Sequence, residues 1–163
     1  DADKHPKLRI EDLLSNIKKT PAEIVVITGG EPLLQAEVLP LMTDLCDAGR
    51  TVLIETSGAH DVSEIDPRVH IIMDIKCPDS GESERNHWPN LEKLKRTDQI
   101  KFVIASRRDW DWAAAAASAA AEVNALNHVW RLGMTTLRPA AASGFHAVRA
   151  PRRGTQSGSS SRP

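Results

Sequence analysis

This chain of 163 residues has few cysteines and no long apolar run, and each shortage excludes a class of protein. The two cysteines, Cys46 and Cys77, are spaced neither as a disulfide framework nor as a metal-binding motif. No apolar run is long enough to cross a membrane and no signal peptide is visible, so we expect a cytoplasmic protein without a membrane partner. The length predicts one folded domain.

Acidic residues are missing from the end of the chain. The small net charge of −1 for the whole chain therefore hides an uneven charge distribution. After Glu122 there is no Asp, Glu or Lys, but there are six arginines, which leaves 15 basic and 22 acidic residues in positions 1–122, a net charge of −7. A body with that charge is a poor match for the phosphate backbone of a duplex, so we predict no nucleic-acid partner.

The stretch from about Gly133 onward has no apolar period and is rich in Arg, Ala, Pro, Gly and Ser. We therefore predict a folded core over residues 1–132 and a disordered tail over 133–163. Out-of-frame translation of a GC-rich gene fits the tail composition better than a natural disordered segment does. A basic arm that binds RNA is a third and less favoured interpretation.

What is present before the tail is an alternation of helix-like and strand-like segments. Apolar residues at helical spacing predict helices over residues 10–17, 38–45 (closed by Gly49, with Pro40 in the first turn) and 109–126, and a short helix at 91–94. Apolar runs predict a buried strand at Ile24–Ile27 and further strands at 51–55, 69–74 and 99–104. This order indicates βαβ units and a parallel sheet.

The most informative stretch, Thr28-Gly29-Gly30-Glu31-Pro32, directly follows the first predicted strand. Two glycines at the end of a strand let backbone come close to a ligand, and ligands bind at this edge of parallel sheets. The Glu adds a carboxylate there, and the Pro stiffens the exit. The sequence predicts a ligand site, with an ordinary Gly-Gly turn as the alternative.

Polar residues also gather at the ends of the second and third predicted strands. Residues two apart share a strand face, which groups Glu55 with Ser57 and Asp74 with Lys76. A core would not hold these side chains without partners or a ligand. We therefore favour a polar ligand site over strand ends that simply emerge into water.

Several segments together resemble the 7-carboxy-7-deazaguanine synthase family of radical S-adenosylmethionine (SAM) enzymes. They are Gly-Gly-Glu-Pro at 29–32, Glu-Thr-Ser-Gly at 55–58, Asp-Ile-Lys-Cys-Pro-Asp-Ser-Gly at 74–81 and Lys-Phe-Val-Ile at 101–104. The match runs in the family's order over residues 8–127. The resemblance implies an α/β fold, namely a partial, truncated (β/α) barrel of the radical SAM type with parallel strands.

The resemblance also implies a function. Such enzymes are lyases that convert 6-carboxy-5,6,7,8-tetrahydropterin to 7-carboxy-7-deazaguanine with loss of ammonia, on the path to queuosine and tRNA modification. The implied cofactors are SAM, a [4Fe-4S] iron-sulfur cluster and Mg²⁺. The implied partners are the small-molecule pterin substrate, a flavodoxin-type electron donor and a second copy in a homodimer.

Carried over residue by residue, the resemblance implies a set of residues that bind SAM: Gly29, Gly30, Glu31, Glu55, Ser57, Asp74, Ile75 and Lys76. Thr28 is implied to face the pterin substrate. No catalytic side chain and no metal ligand are implied within this sequence. Cys77 is more plausibly a small apolar filler, and His60 forms no spacing motif with the other histidines.

The chain departs from the family's pattern in one respect. It lacks the Cys-x-x-x-Cys-x-x-Cys loop, or an expanded form, whose three thiolates hold the cluster, and it lacks the adjoining magnesium ligand. We expect a fragment that is inactive alone, with the cluster and Mg²⁺ ligands upstream. Two alternatives stay open: a radical SAM activase-type enzyme, and a non-catalytic α/β domain that binds SAM or a nucleotide.

Overall fold

The computed structural model describes residues 9–124 of the chain. Within that range four parallel strands form one sheet in the order β1-β2-β3-β4: β1 (Ile24–Ile27), β2 (Thr51–Thr56), β3 (His70–Ile75) and β4 (Gln99–Phe102). Three α-helices accompany the sheet: α1 (Ile10–Lys18), α2 (Val38–Asp47) and α3 (Arg107–Asn124). The predicted α/β class with a parallel sheet is confirmed, and strand order follows chain order as in consecutive units of a β/α barrel.

The helix α2 forms where its apolar spacing predicts it. Pro40 is the third helical residue, where its missing N–H has no intrahelical partner to lose. Gly49 follows the helix with a φ of 76° and donates its N–H to the Cys46 carbonyl at 2.9 Å, which ends the helix as predicted. One face of α2 is buried against the sheet: Val38, Leu41, Met42 and Leu45.

The sheet has one buried face and one open face. Alternate residues of β2, β3 and β4 lie in the core: Val52, Ile54, Ile71, Met73, Ile75, Ile100 and Phe102. The prediction that β1 is buried is wrong, because Ile24 is 60% and Val26 is 48% exposed. In the described sheet β1 is an edge strand, and these two side chains share the open face with Leu53, the register partner of Val26.

The connections correct the predicted alternation of strands and helices. An α-helix joins β1 to β2, but the segment 57–69 between β2 and β3 contains none. Three 3₁₀ segments lie between β3 and β4: Pro78–Ser80, Ser83–Arg85 and Trp88–Lys93. The last one replaces the predicted short helix, and Leu94 lies just beyond it. The fourth strand ends at Phe102, two residues earlier than predicted.

The helix α3 begins two residues earlier than predicted because Ser106 caps it, with its hydroxyl accepting the Asp109 N–H at 3.1 Å. Asp109 Oδ2 in turn accepts the N–H of Ala105, the residue before the cap, at 3.0 Å. No helix in the described part of the chain is both long and apolar enough to cross a membrane. The predicted helix end at 126, the core boundary at 132 and the tail 133–163 lie outside the described residues.

Candidate functional site

The chain leaves β1 through Thr28, Gly29 and Gly30, at the carboxyl edge of the sheet. Gly29 has a φ of 144°, in a region that residues with a Cβ rarely adopt, whereas Gly30 lies outside that region. A Cβ built on Gly30 would meet no atom within 4 Å. The backbone at Gly30 therefore borders open space that a ligand can reach.

Glu31 ties the exit of β1 to the exit of β2. Its Oε2 accepts the Ser57 N–H at 2.8 Å and the Ser57 hydroxyl at 2.5 Å. Its Oε1 accepts the Thr56 hydroxyl at 2.9 Å and the Leu33 N–H at 3.1 Å, and the latter bond caps the 3₁₀ turn Pro32–Leu34. One carboxylate thus fixes the relative position of two strand ends.

The hydrogen bonds also set the charge of Glu31. Burial by itself would raise the pKa of its carboxyl group, but the bonds from Ser57, Leu33 and Thr56 outweigh burial and lower the pKa below its ordinary value of 4.5. The carboxylate is therefore ionised at neutral pH. Since both of its oxygens have partners within the protein, a direct contact between Glu31 and SAM stays a prediction.

Four charged side chains lie together on the open face of the sheet, and we call Glu55, Asp74, Lys76 and Lys101 the charged tetrad. Lys76 Nζ lies 3.0 Å from Asp74 Oδ2. Lys101 Nζ lies 3.6 Å from Glu55 Oε2 and 4.0 Å from Asp74 Oδ2. Asp74 and Lys76 thus lie together as the strand alternation predicts, and Lys101 connects them to Glu55.

Sequence reasoning missed Lys101. Its signal was a lysine between the core residues Ile100 and Phe102, which the strand alternation places on the opposite, open face of β4. The register places Lys101 directly beside Asp74, because these two residues pair across β3 and β4. Strand alternation alone could not show this, since it says nothing of which residues pair across neighbouring strands.

A cleft of about 540 Å³ opens at the same edge of the sheet. Its walls contain Glu31, Leu34, Ser57, Ala59, His60, Lys76, Glu82 and Arg85. Lys76 belongs to both the cleft and the charged tetrad, so the two features are continuous. His60 and Arg85 are wall residues that the sequence analysis did not propose, because loops far apart in sequence bring them together.

Asn86 holds one wall of the cleft against the end of β3. Its Oδ1 accepts the Lys76 N–H and its Nδ2 donates to the Lys76 carbonyl, both at 2.9 Å. The side chain is nearly buried, with 7% of the residue exposed. It therefore anchors the segment that carries Glu82 and Arg85 and fixes the backbone from which the Lys76 side chain projects.

Asn90 holds the opposite loop in the same way. It is 0% exposed, and its Nδ2 donates to the carbonyls of His60 at 2.7 Å and Gly58 at 3.3 Å. Its Oδ1 accepts the Val62 N–H at 3.3 Å. A buried amide that satisfies three backbone groups fixes the loop that carries Ala59 and His60 into the cleft wall.

No protein-family model matches the chain. The chain is 42% identical over 109 residues to the 7-carboxy-7-deazaguanine synthase of Koribacter versatilis. The matched region covers 66% of this chain and 48% of that protein. The synthase of Chlorobaculum tepidum is 40% identical over 109 residues, with 65% and 50% covered. That of Methanospirillum hungatei is 37% identical over 107 residues, with 65% and 45% covered.

The chain is a relative of the 7-carboxy-7-deazaguanine synthases. It spans about half the length of the curated synthases that it matches. The resemblance seen in the sequence motifs is therefore confirmed for that part of a synthase.

The structure distributes the residues implied to bind SAM over three places. Glu31, Ser57 and Lys76 line the cleft, Glu55 and Asp74 lie in the charged tetrad, and Gly29 and Gly30 form the open exit of β1. Ile75 differs from the others, because its side chain is 2% exposed and lies in the core on the opposite face. Only the Ile75 backbone is available to a ligand. Thr28 is exposed at the exit of β1, where its contact with the pterin stays a prediction.

The [4Fe-4S] cluster implied by the synthase resemblance does not fit the residues of this chain. Its two cysteines cannot supply three thiolates. Burial raises the pKa of Cys77 to about 11 and also raises the pKa of Cys46, so both thiols are poor thiolate donors. Over residues 9–124 no group of three or more His, Cys, Asp or Glu side chains could hold a metal ion such as Mg²⁺.

Proposed function

We propose that this chain supplies the SAM-binding part of a 7-carboxy-7-deazaguanine synthase, a radical SAM lyase. The whole enzyme would convert 6-carboxy-5,6,7,8-tetrahydropterin to 7-carboxy-7-deazaguanine with loss of ammonia. One observation carries the proposal: the open backbone at Gly30 and a polar cleft share one edge of a parallel sheet, in a chain related to the synthases.

The residues of the site have chemistry that suits SAM. The Gly30 backbone can approach the methionine end of SAM because no side chain occupies that space. Ser57 and Lys76 offer a hydroxyl and an ammonium to the cleft, and Asp74 offers a carboxylate to the adenosyl part. Once cleaved reductively, SAM supplies the radical that removes a hydrogen atom from the substrate.

Other components of the reaction belong to the proposal for the whole enzyme. The cluster and Mg²⁺ ligands would belong to the part of a synthase outside the match, which is about half of each curated synthase. The flavodoxin-type electron donor, the homodimer and the cytoplasmic location stay predictions of the family resemblance.

A hybrid enzyme tests the proposed function. The matched region of the Koribacter versatilis synthase is replaced by the corresponding residues of this chain, and the hybrid is purified and reconstituted without oxygen. With SAM, reductant and 6-carboxy-5,6,7,8-tetrahydropterin, we expect 7-carboxy-7-deazaguanine in the mass spectrum. The same hybrid with Gly30→Val is the matched control and should form none. A folded, cluster-loaded hybrid that forms no product would contradict the proposal.

A non-catalytic α/β domain that binds SAM is the second candidate, and the presence of only two cysteines in the sequence favours it. The hybrid separates the two, because such a domain would bind SAM in the hybrid without supporting product formation. The activase-type alternative has less support, since the relatives described above are all named as synthases.

A further inference from the structure

The strand β3 ends at Ile75, and a side chain becomes the hydrogen-bond partner of the next residue. Ile75 is the last residue of β3 in register with β4, where it pairs with Phe102. The backbone N–H of Lys76 donates to Asn86 Oδ1, and the Lys76 carbonyl accepts from Asn86 Nδ2, both at 2.9 Å. One amide side chain thus supplies the acceptor and the donor that a neighbouring strand would supply.

These two bonds hold Lys76 as a continuation of β3, and that backbone position decides where its side chain lies. Residues two apart on a strand share a face, and the Lys76 ammonium accordingly donates to Asp74 Oδ2 at 3.0 Å. The Lys76 side chain also forms part of the cleft wall. Because Lys76 lies beyond the last residue of β3, the alternation that places its ammonium there depends on Asn86.

The two side chains differ in how firmly their surroundings hold them. Asn86 is 7% exposed, and its own N–H donates to the Ser83 carbonyl at 3.3 Å, so the amide is enclosed and fixed. The Lys76 side chain is 31% exposed and has several rotatable bonds. Ordering such a side chain costs conformational entropy, so the position of its ammonium depends on a firmly held backbone.

We propose that Asn86 is a positioning residue of the ligand site, which acts through Lys76. Its amide holds the Lys76 backbone so that the ammonium stays in the cleft wall, where it donates to an acceptor group of the ligand. The inference rests on the proposed function in one respect, namely that this ligand is SAM.

A double-mutant cycle on the 163-residue chain tests this role, with SAM as the probe in titration calorimetry. Asn86→Ala should weaken SAM binding about tenfold in the parent chain, because Lys76 loses its fixed position. In a chain that already carries Lys76→Ala, the same substitution should change the affinity less than about twofold, since the residue through which Asn86 acts is gone. An asparagine with only a structural role would weaken binding equally in both chains.

Asn90→Ser is the matched control. Asn90 is also a buried asparagine whose amide bonds to backbone groups, but these groups belong to the loop 58–62. We expect any loss of SAM affinity that Asn90→Ser causes to be the same with and without Lys76→Ala.

Hydrogen exchange gives a second measurement, which needs no ligand. The Lys76 amide should exchange about tenfold faster in Asn86→Ala, which removes its acceptor, and should be unchanged in Asn90→Ser. Thermal melts of all variants show whether a change follows from unfolding, and Asn86→Ser replaces Asn86→Ala if the latter does not fold.

The outcomes distinguish the inference from the proposed function. Equal losses of SAM affinity from Asn86→Ala in the two backgrounds, or an unchanged exchange rate of the Lys76 amide, would overturn the positioning role. Faster exchange with unchanged SAM affinity would overturn it as well, because Asn86 would then hold the strand end alone. If the parent chain does not bind SAM, the proposed function fails, and the exchange rate of the Lys76 amide decides whether Asn86 positions Lys76.

Discussion

The Glu31 carboxylate accepts both the backbone N–H and the hydroxyl of Ser57, 26 residues further along the chain. This contact joins the Gly-Gly-Glu-Pro segment to the Glu-Thr-Ser-Gly segment, two of the segments on which the family resemblance rests. The glutamate thus builds the site by holding two strand ends together.

Glu31→Gln tests that contact through its pH dependence. Removing a charged acceptor should lower the free energy of unfolding by about 1–3 kcal/mol at neutral pH. Because folding lowers the pKa of Glu31, its contribution is fully present above the ordinary value of 4.5 and is lost as the pH falls through the folded-state pKa. Urea denaturation of parent and variant should therefore give a difference that shrinks below pH 4.5.

Glu37→Gln is the control for this series. Glu37 is exposed, and its side chain makes no capping hydrogen bond at the start of α2, so the substitution should change stability little at either pH. A difference between parent and Glu31→Gln that stays constant through acid pH would show that the ionised carboxylate is not what joins the strand ends.

Gly30→Val should change SAM binding without changing stability, whereas Gly29→Ala should lower stability. The Gly30 variant should melt like the parent, because its new Cβ meets nothing within 4 Å, yet it should abolish SAM binding by filling the ligand's space. Gly29→Ala should lower stability by about 1–3 kcal/mol, because φ of 144° strains any residue with a Cβ. Titration calorimetry and thermal melts measure both effects. Unchanged SAM affinity in Gly30→Val would show that this segment is an ordinary structural turn and not part of a ligand site.

Lys76→Ala should weaken SAM binding about tenfold to a hundredfold, with little effect on stability, because Lys76 lies partly exposed at the cleft wall. The contrasting variant is Ile54→Ala. Ile54 is 0% exposed, so this substitution should lower stability by about 2–5 kcal/mol through the cavity it leaves. Leu53→Ala should cost less than Ile54→Ala, since Leu53 is only half-buried on the open face. A large loss of stability in Lys76→Ala would contradict a role in binding.

Gly58→Ala should destabilise the chain more than Gly49→Ala. Both glycines have positive φ, 72° and 76°, so both substitutions carry backbone strain of about 1–2 kcal/mol. A Cβ on Gly58 would also lie 2.9 Å from Met73 Cγ, whereas one on Gly49 meets nothing within 4 Å. The gap between the two melting temperatures reports this clash, and equal melting temperatures would show that Met73 moves aside freely.

The sequence alone determined the features that depend on neighbouring residues. The spacing of apolar residues in α2, the tolerated position of Pro40 and the terminating role of Gly49 are local effects, and all three agree with the structure. Strand alternation likewise placed Asp74 and Lys76 together correctly, because residues two apart share one face of a strand.

Only the tertiary structure decided which strand lies at the edge, which residues pair and which loops meet. The run Ile24–Ile27 is as apolar as a central strand, yet Ile24 and Val26 are exposed because no described element packs over that face of β1. Lys101 joins the tetrad through its register with Asp74, and Asn86 and Asn90 reach backbone groups 10 to 32 residues away. These contacts depend on how the chain closes on itself, and no local pattern of residue types encodes that closure.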